Sequence, residues 1–165
     1  MMMARLKPLS FLPALLICCM IWSFSAREAE DSAQMSGGVG EIIIHACNRM
    51  FRLEMEEEEV LVMAEQLQPV VRKGAHLSEY FLLALAATLP IFVYGRTSGK
   101  FFLLAGLLCL LFAVSDEFHQ SFVPGRSAEL RDVLIDSAGI CAGLLLAMTI
   151  ISKSGRIEVI RRRMP

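Results

Sequence analysis

The chain has 165 residues, 55% of them hydrophobic and 20% charged, at a mean hydropathy of +0.55. Soluble domains run at about 45–50% apolar and about 25% charged, and disordered chains hold far fewer apolar residues, so both classes are excluded. Sixteen Lys and Arg against seventeen Asp and Glu leave a net charge of −1, which provides no basic field for nucleic acid.

In chain order, four uncharged runs stand out: residues 8–26, 80–95, 101–115 and 137–152. A helix needs about 20 predominantly apolar residues to cross about 30 Å of hydrocarbon. Only the first run comes close unaided, and it predicts a transmembrane helix over 8–26. Arg5, Lys7 and the Ser23-Phe24-Ser25 stretch also fit a cleavable signal peptide. The run is longer than an ordinary signal core and carries Trp22, which suits a membrane interface, so a retained helix is expected.

Residues 27–68 form the long extramembrane loop. Ser36-Gly37-Gly38-Val39-Gly40 reads as a flexible break. After it, Ile42, Ile43, Ala46, Met50 and Leu53, then Val60, Leu61, Ala64 and Leu67, recur at helical spacing. One or two amphipathic helices on the outer surface are expected, interrupted or capped near Glu56–Glu59. The acidic run there reads as a solvated face. Pro69 suits the first turn of the second membrane helix, where its missing N–H costs nothing.

Residues 69–151 then hold three further transmembrane helices, and 152–165 form a basic tail. The fold class is all-α: a bundle of four membrane helices with an amphipathic helical outer loop. Placing the N-terminus inside puts Arg5, Lys7, Arg96, Lys100, Lys153, Arg156 and Arg161 to Arg163 in the cytoplasm. Both termini of this multi-pass cell-membrane protein are therefore expected to be cytoplasmic, with the terminal arginines beside anionic lipid. The five cysteines include no CxxC pair and four lie in apolar runs, so neither a disulfide framework nor a zinc module is read from them.

The last three runs are short, and their extensions carry charge. The second helix must reach back through Glu79 and His76 toward Lys73. The third must run forward through Asp116 and Glu117 toward Gln120, and the fourth must start back through Asp136 toward Asp132. With alternating helices, all three extensions fall at the outer end of the bundle. Lys73, His76 and Glu79/Tyr80 share one stripe, and Asp132 and Asp136 share another that continues through Gly139 and Gly143, where glycine lets a neighbouring helix approach. The turn at Pro124-Gly125 delivers Arg126, whose planar fork suits carboxylate or phosphate.

The expected site is thus a polar cup of Lys73, His76, Glu79, Asp116, Glu117, Gln120, Arg126, Asp132 and Asp136. Glu79, His119, Glu129 and Arg131 read equally well as interfacial anchors or bundle ion pairs. Asp136 and Glu117 lie deeper and read as functional. Tyr80 and Phe122 read as packing or interface aromatics, and His45 as structural.

Two stretches, Lys73-x-x-His76-x-x-Glu79-Tyr80 and Asp116-Glu117-x-x-Gln120-x-Phe122-x-x-Gly125-Arg126 continuing to Asp132, Asp136 and Gly139, resemble the signatures of the VanZ-like family of membrane proteins. The resemblance covers about residues 66–147. It implies a cell-envelope setting, with the family's naming member tied to low-level teicoplanin resistance in Gram-positive bacteria. Many relatives carry Asn at the position of Asp136, which implies a hydrogen-bonding role there rather than an obligatory charge.

The first functional expectation is an outer-leaflet site for a lipid-linked or cell-wall ligand. Arg126 and Lys73 would hold an anionic head group, while the carboxylates would take an amine, hydroxyl or cation. Membrane lipids are the expected surroundings, with no nucleic acid. If the site is catalytic, Glu117 or Asp132 would act as general base and His76 as proton carrier. No nucleophile elbow, phosphate loop or zinc-protease helix is present, so motifs identify no reaction and no cofactor. The alternatives are a small proton- or ion-coupled transporter or flippase, a membrane-embedded lipid-modifying enzyme, and a purely structural or regulatory partner. The transporter would need a homo-oligomer, because four helices are few for alternating access. A metal site from His76, His119, Asp116, Glu117 and Asp132 lacks the tight ligand spacing of known motifs.

Overall fold

The computed structural model describes residues 7–163, with side chains described through residue 153. The expectations for Arg5 and for the side chains of Arg156 and Arg161 to Arg163 lie outside the described residues. A 3-10 turn, Lys7–Phe11, leads into α1 (Leu12–Ser25), followed by α2 (Ala29–Phe51), α3 (Glu57–Val93), α4 (Gly99–Gln120) and α5 (Leu130–Arg163). No strand occurs among the described residues. Four segments are long and apolar enough to cross a membrane: Lys7–Ser25, Glu57–Val93, Gly99–Gln120 and Leu130–Lys153. The chain is an all-α polytopic membrane protein.

The third membrane helix ends at Gln120, as the length arithmetic placed it, and the fourth begins at Leu130, two residues before the expected Asp132. The second corrects an expectation. Pro69 does not open it, because α3 starts twelve residues earlier at Glu57 and runs continuously through both Pro69 and Pro90. The start is set by a capping box in which Glu56 and Glu59 satisfy each other's backbone N–H groups. A helix of 37 residues rises about 55 Å, well beyond about 30 Å of hydrocarbon. About 20 residues counted back from Val93 reach Gly74, so the first half of α3 extends past the span.

That extension is clasped by α2, and the Gly-rich break expected over residues 36–40 is instead helical. A helical glycine costs about 1 kcal/mol relative to alanine, and here close packing offsets it. A Cβ on Gly40 would stand 3.0 Å from the carbonyl oxygen of Ala64. Val60 and Ala64 are buried, and the Gln68 amide donates 2.6 Å to the carbonyl of Ala33, so the two helices form an antiparallel hairpin. The predicted apolar stripe of α2 does not make this contact: Ile42, Ile43 and Met50 remain exposed. The loop turns back through left-handed Arg52 and Glu54, and His45 lies 3.5 Å from Glu57 across it.

Within the bundle, α3 and α5 make the tightest contact. A Cβ on Gly139 would collide with the backbone of Leu77, and one on Gly143 would sit 2.6 Å from the carbonyl oxygen of Phe81. The stripe expected to admit a close neighbour does so, and the neighbour is α3. Around it pack Ile21, Tyr80, Leu83, Ala84, Cys109, Ala113 and Ile140, which draw α1 and α4 into the same core. Gly143→Leu is expected to lower the thermal midpoint of the detergent-purified protein, since overpacking costs about 1–3 kcal/mol. Gly37→Ala, whose new Cβ meets nothing within 4 Å, is expected to hold or raise it. Equal midpoints for the two variants would contradict the helix contact.

Candidate functional site

At the end of the bundle where the α2–α3 hairpin emerges, the polar extensions of α3, α4 and α5 meet, as the three length shortfalls required. They do not form one cup. They divide into a buried network centred on Asp116 and an open cavity beside it.

Asp116 is 1% exposed, and its Oδ2 accepts from Ser25 Oγ at 2.8 Å, Gln120 Nε2 at 3.1 Å and the Tyr80 hydroxyl at 3.3 Å. These partners lie on α1, α4 and α3, so a single carboxylate oxygen ties three helices. Gln120 also donates to Ser25 at 3.3 Å, and its own oxygen accepts from Arg126 Nη1 at 2.8 Å. The guanidinium is therefore held by a neutral amide that relays it toward Asp116. Glu117 turns the other way: its Oε1 accepts from the backbone N–H of Glu129 at 2.6 Å, which fixes the connection between α4 and α5. Positive-φ Gly125 shapes that connection, and its Pro124 carbonyl accepts from Ala29 N at 3.3 Å, tying α2 to the same corner.

The cavity holds about 300 Å³ between α2, α3, the 121–129 connection and α5. Of the nine expected residues, Lys73, His76, Arg126 and Asp132 line it. Arg72 and Glu129 join them, together with Gln68 and Ser127. Glu79, Asp116, Glu117, Gln120 and Asp136 are not among the lining residues, which corrects the single-cup expectation. For Asp116 and Glu117 the physical reason is that each turns one carboxylate oxygen toward donors inside the protein rather than toward open space.

His76 links the two parts. It lines the cavity, while its Nδ1 faces Asp136 Oδ1 at 3.6 Å, and Asp136 is 1% exposed. Several buried polar atoms have no hydrogen-bond partner among the described residues, including Arg126 Nε, Asp132 Oδ1, Asp116 Oδ1 and Glu117 Oε2. Burial, joined by the neighbouring Arg72, lowers the Arg126 guanidinium from its ordinary value, and Asp116, Glu117 and Glu79 oppose the shift. Guanidinium remains charged throughout, so the cavity keeps an undersatisfied cation in its wall.

Two side chains outside the expected set belong to this region. Ser25 stands out in the sequence only within the Ser23-Phe24-Ser25 stretch near the end of an uncharged run, yet it is buried and bonded to Asp116. Tyr80, expected to be a packing aromatic, is fully buried as such and also donates to Asp116. His119 is stacked on Trp22 at 4.1 Å, and Phe122 is 73% exposed. No group of three His, Cys, Asp or Glu able to hold a metal occurs among the described residues, so the metal alternative is not assembled. Toward the other end, the core beneath the polar groups is Leu83, Ala84, Ala113 and Ile140, and buried Thr88 bonds only within its own helix.

Fold and site together define a multi-pass helical membrane protein with a polar site at one end of its bundle. The sequence profile of VanZ/LLP1 matches residues 10–152, which is most of the chain. The protein belongs to the VanZ/LLP1 family. No curated protein and no solved structure matches it.

The buried network predicts unequal costs. Ser25→Ala removes the shortest bond to Asp116 and is expected to cost about 1–2 kcal/mol, whereas Phe122→Ala should leave stability unchanged. Unfolding in mixed micelles, followed by the fluorescence of Trp22, measures both, since it is the sole tryptophan and lies on the same helix as Ser25. Equal midpoints for Ser25→Ala and wild type would contradict the three-helix role of Asp116.

Proposed function

We propose that this protein binds the anionic group of a lipid-linked or cell-wall ligand in the outer leaflet of the cell membrane, and so contributes to teicoplanin resistance. The carrying observation is the cavity wall: Arg72, Lys73 and Arg126 face one space of about 300 Å³. Arg126 Nε has no partner among the described residues. An anion there would meet three positive charges, two of them on planar guanidinium forks, and phosphate is well suited to such a fork. Asp132 and Glu129, which line the same cavity, would take an amine or hydroxyl of the same ligand. Family membership supports the envelope setting, and the distribution of basic residues supports the outer placement.

A second reading, a membrane-embedded lipid-modifying enzyme, is favoured by the His76–Asp136 pair. His76 lines the cavity with a buried carboxylate 3.6 Å from its Nδ1, and a histidine beside a carboxylate can serve as a general acid or base. The transporter reading has less support, because the polar groups give way to an apolar core toward the other end.

Drug susceptibility in a Gram-positive host lacking its own copy tests the reading. Wild type is expected to protect against teicoplanin and not vancomycin. The double variant Arg72→Gln/Lys73→Gln and Asp132→Asn, at matched membrane levels, are each expected to lose that protection. Full protection by the double variant would remove the anion site from the account. No protection by wild type would remove the resistance role.

A further inference from the structure

At the opposite end of the bundle, a second cleft of about 660 Å³ opens between α1, α3 and α4. Its walls are almost wholly apolar, with Leu15, Leu104 and Leu108 exposed along it. Along α3 it runs from Leu83 to Tyr94, the residue that caps the helix, and on α4 from Phe101 to Phe112, each about 16 Å at helical rise. That is about half the hydrocarbon thickness, or the depth of one leaflet. A helix of about 10–12 Å diameter would fill this volume in less than two turns, so the cleft does not seat a further membrane helix. A single hydrocarbon chain suits both its length and its lining.

The mouth of the cleft is cationic and aromatic. Arg96 lines it, with its guanidinium 6.0 Å from the Phe101 ring centre. Lys100 lies 5.3 Å from the same ring, and Lys7 lies 5.4 Å over Tyr94, which also meets Phe11. No acidic side chain lines the cleft. Aromatic rings at the boundary and basic residues above them mark the level of lipid head groups. We propose that this cleft is a binding site for one anionic phospholipid, its acyl chain between α1 and α4 and its phosphate at Arg96, Lys100 and Lys7. The distribution of basic residues makes this leaflet the inner one, so the site is separate from the polar cavity.

The test uses the full chain reconstituted in vesicles that carry a photoactivatable acyl chain on either phosphatidylglycerol or phosphatidylcholine. Crosslinked peptides are mapped by mass spectrometry. The phosphatidylglycerol probe is expected to label the segments around Leu15 and Leu104–Leu108 preferentially. Arg96→Gln and Lys100→Gln should each reduce that preference by about fivefold. Leu108→Trp, at an exposed lining position that leaves the core untouched, should block labelling by filling the cleft. Equal labelling by the two lipids would reduce the cleft to bulk lipid contact and overturn the proposal. Crosslinks between two copies of the chain at these positions, with lipid excluded, would overturn it as well.

Discussion

A carboxylate near the end of a membrane helix must find donors or water, because hydrocarbon offers neither. Asp116 meets that demand inside the protein, and much of the polar end follows from how it does so. Its Oδ2 gathers Ser25, Tyr80 and Gln120 from three helices, and Gln120 then places Arg126. The cation is held indirectly, through an amide, so its charge is not neutralised by the group that positions it. Glu117 does the same for the following connection by bonding the backbone of Glu129. These buried groups are thus the framework for the cavity rather than its lining.

A second constraint works through backbone contact. Gly139 and Gly143 let α5 lie directly on Leu77 and Phe81 of α3. This close approach brings Asp136 to His76 and places Asp132 and Lys73 in the lining of one cavity. The length of α3 adds the upper part: its N-terminal half projects past the span, carries α2, and supplies Gln68 and Arg72 to the cavity rim. Helix packing and charge placement are therefore one problem in this molecule, solved by small residues below and a clasping hairpin above.

Most of the architecture was legible because it rests on local arithmetic. The uncharged runs, the shortfalls at Glu79, Asp116 and Asp136, and the glycine stripe all register as spacing along the chain. The misreadings share a cause. The 36–40 glycines and Pro69 carry strong local signals for breaks, and tertiary contact overrode both, through Ala64 beside Gly40 and through the Gln68–Ala33 bond beside Pro69. The convergence of the charged residues could be inferred, but their facing could not, since whether Asp116 turns inward or into the cavity depends on donors from distant helices. Ser25 illustrates this limit: a serine ending an apolar run has no pattern of its own, and its role exists only beside Asp116.

We propose that the cavity built on this framework opens to the outer face of the membrane. Single cysteines at Lys73, Ser127 and Asp132, in a background without the five native cysteines, test it directly. Intact cells and inverted vesicles would each be treated with a membrane-impermeant maleimide. Labelling of all three positions in intact cells and protection in inverted vesicles is expected. Labelling confined to inverted vesicles would contradict the orientation, and a split among the three positions would contradict the shared cavity.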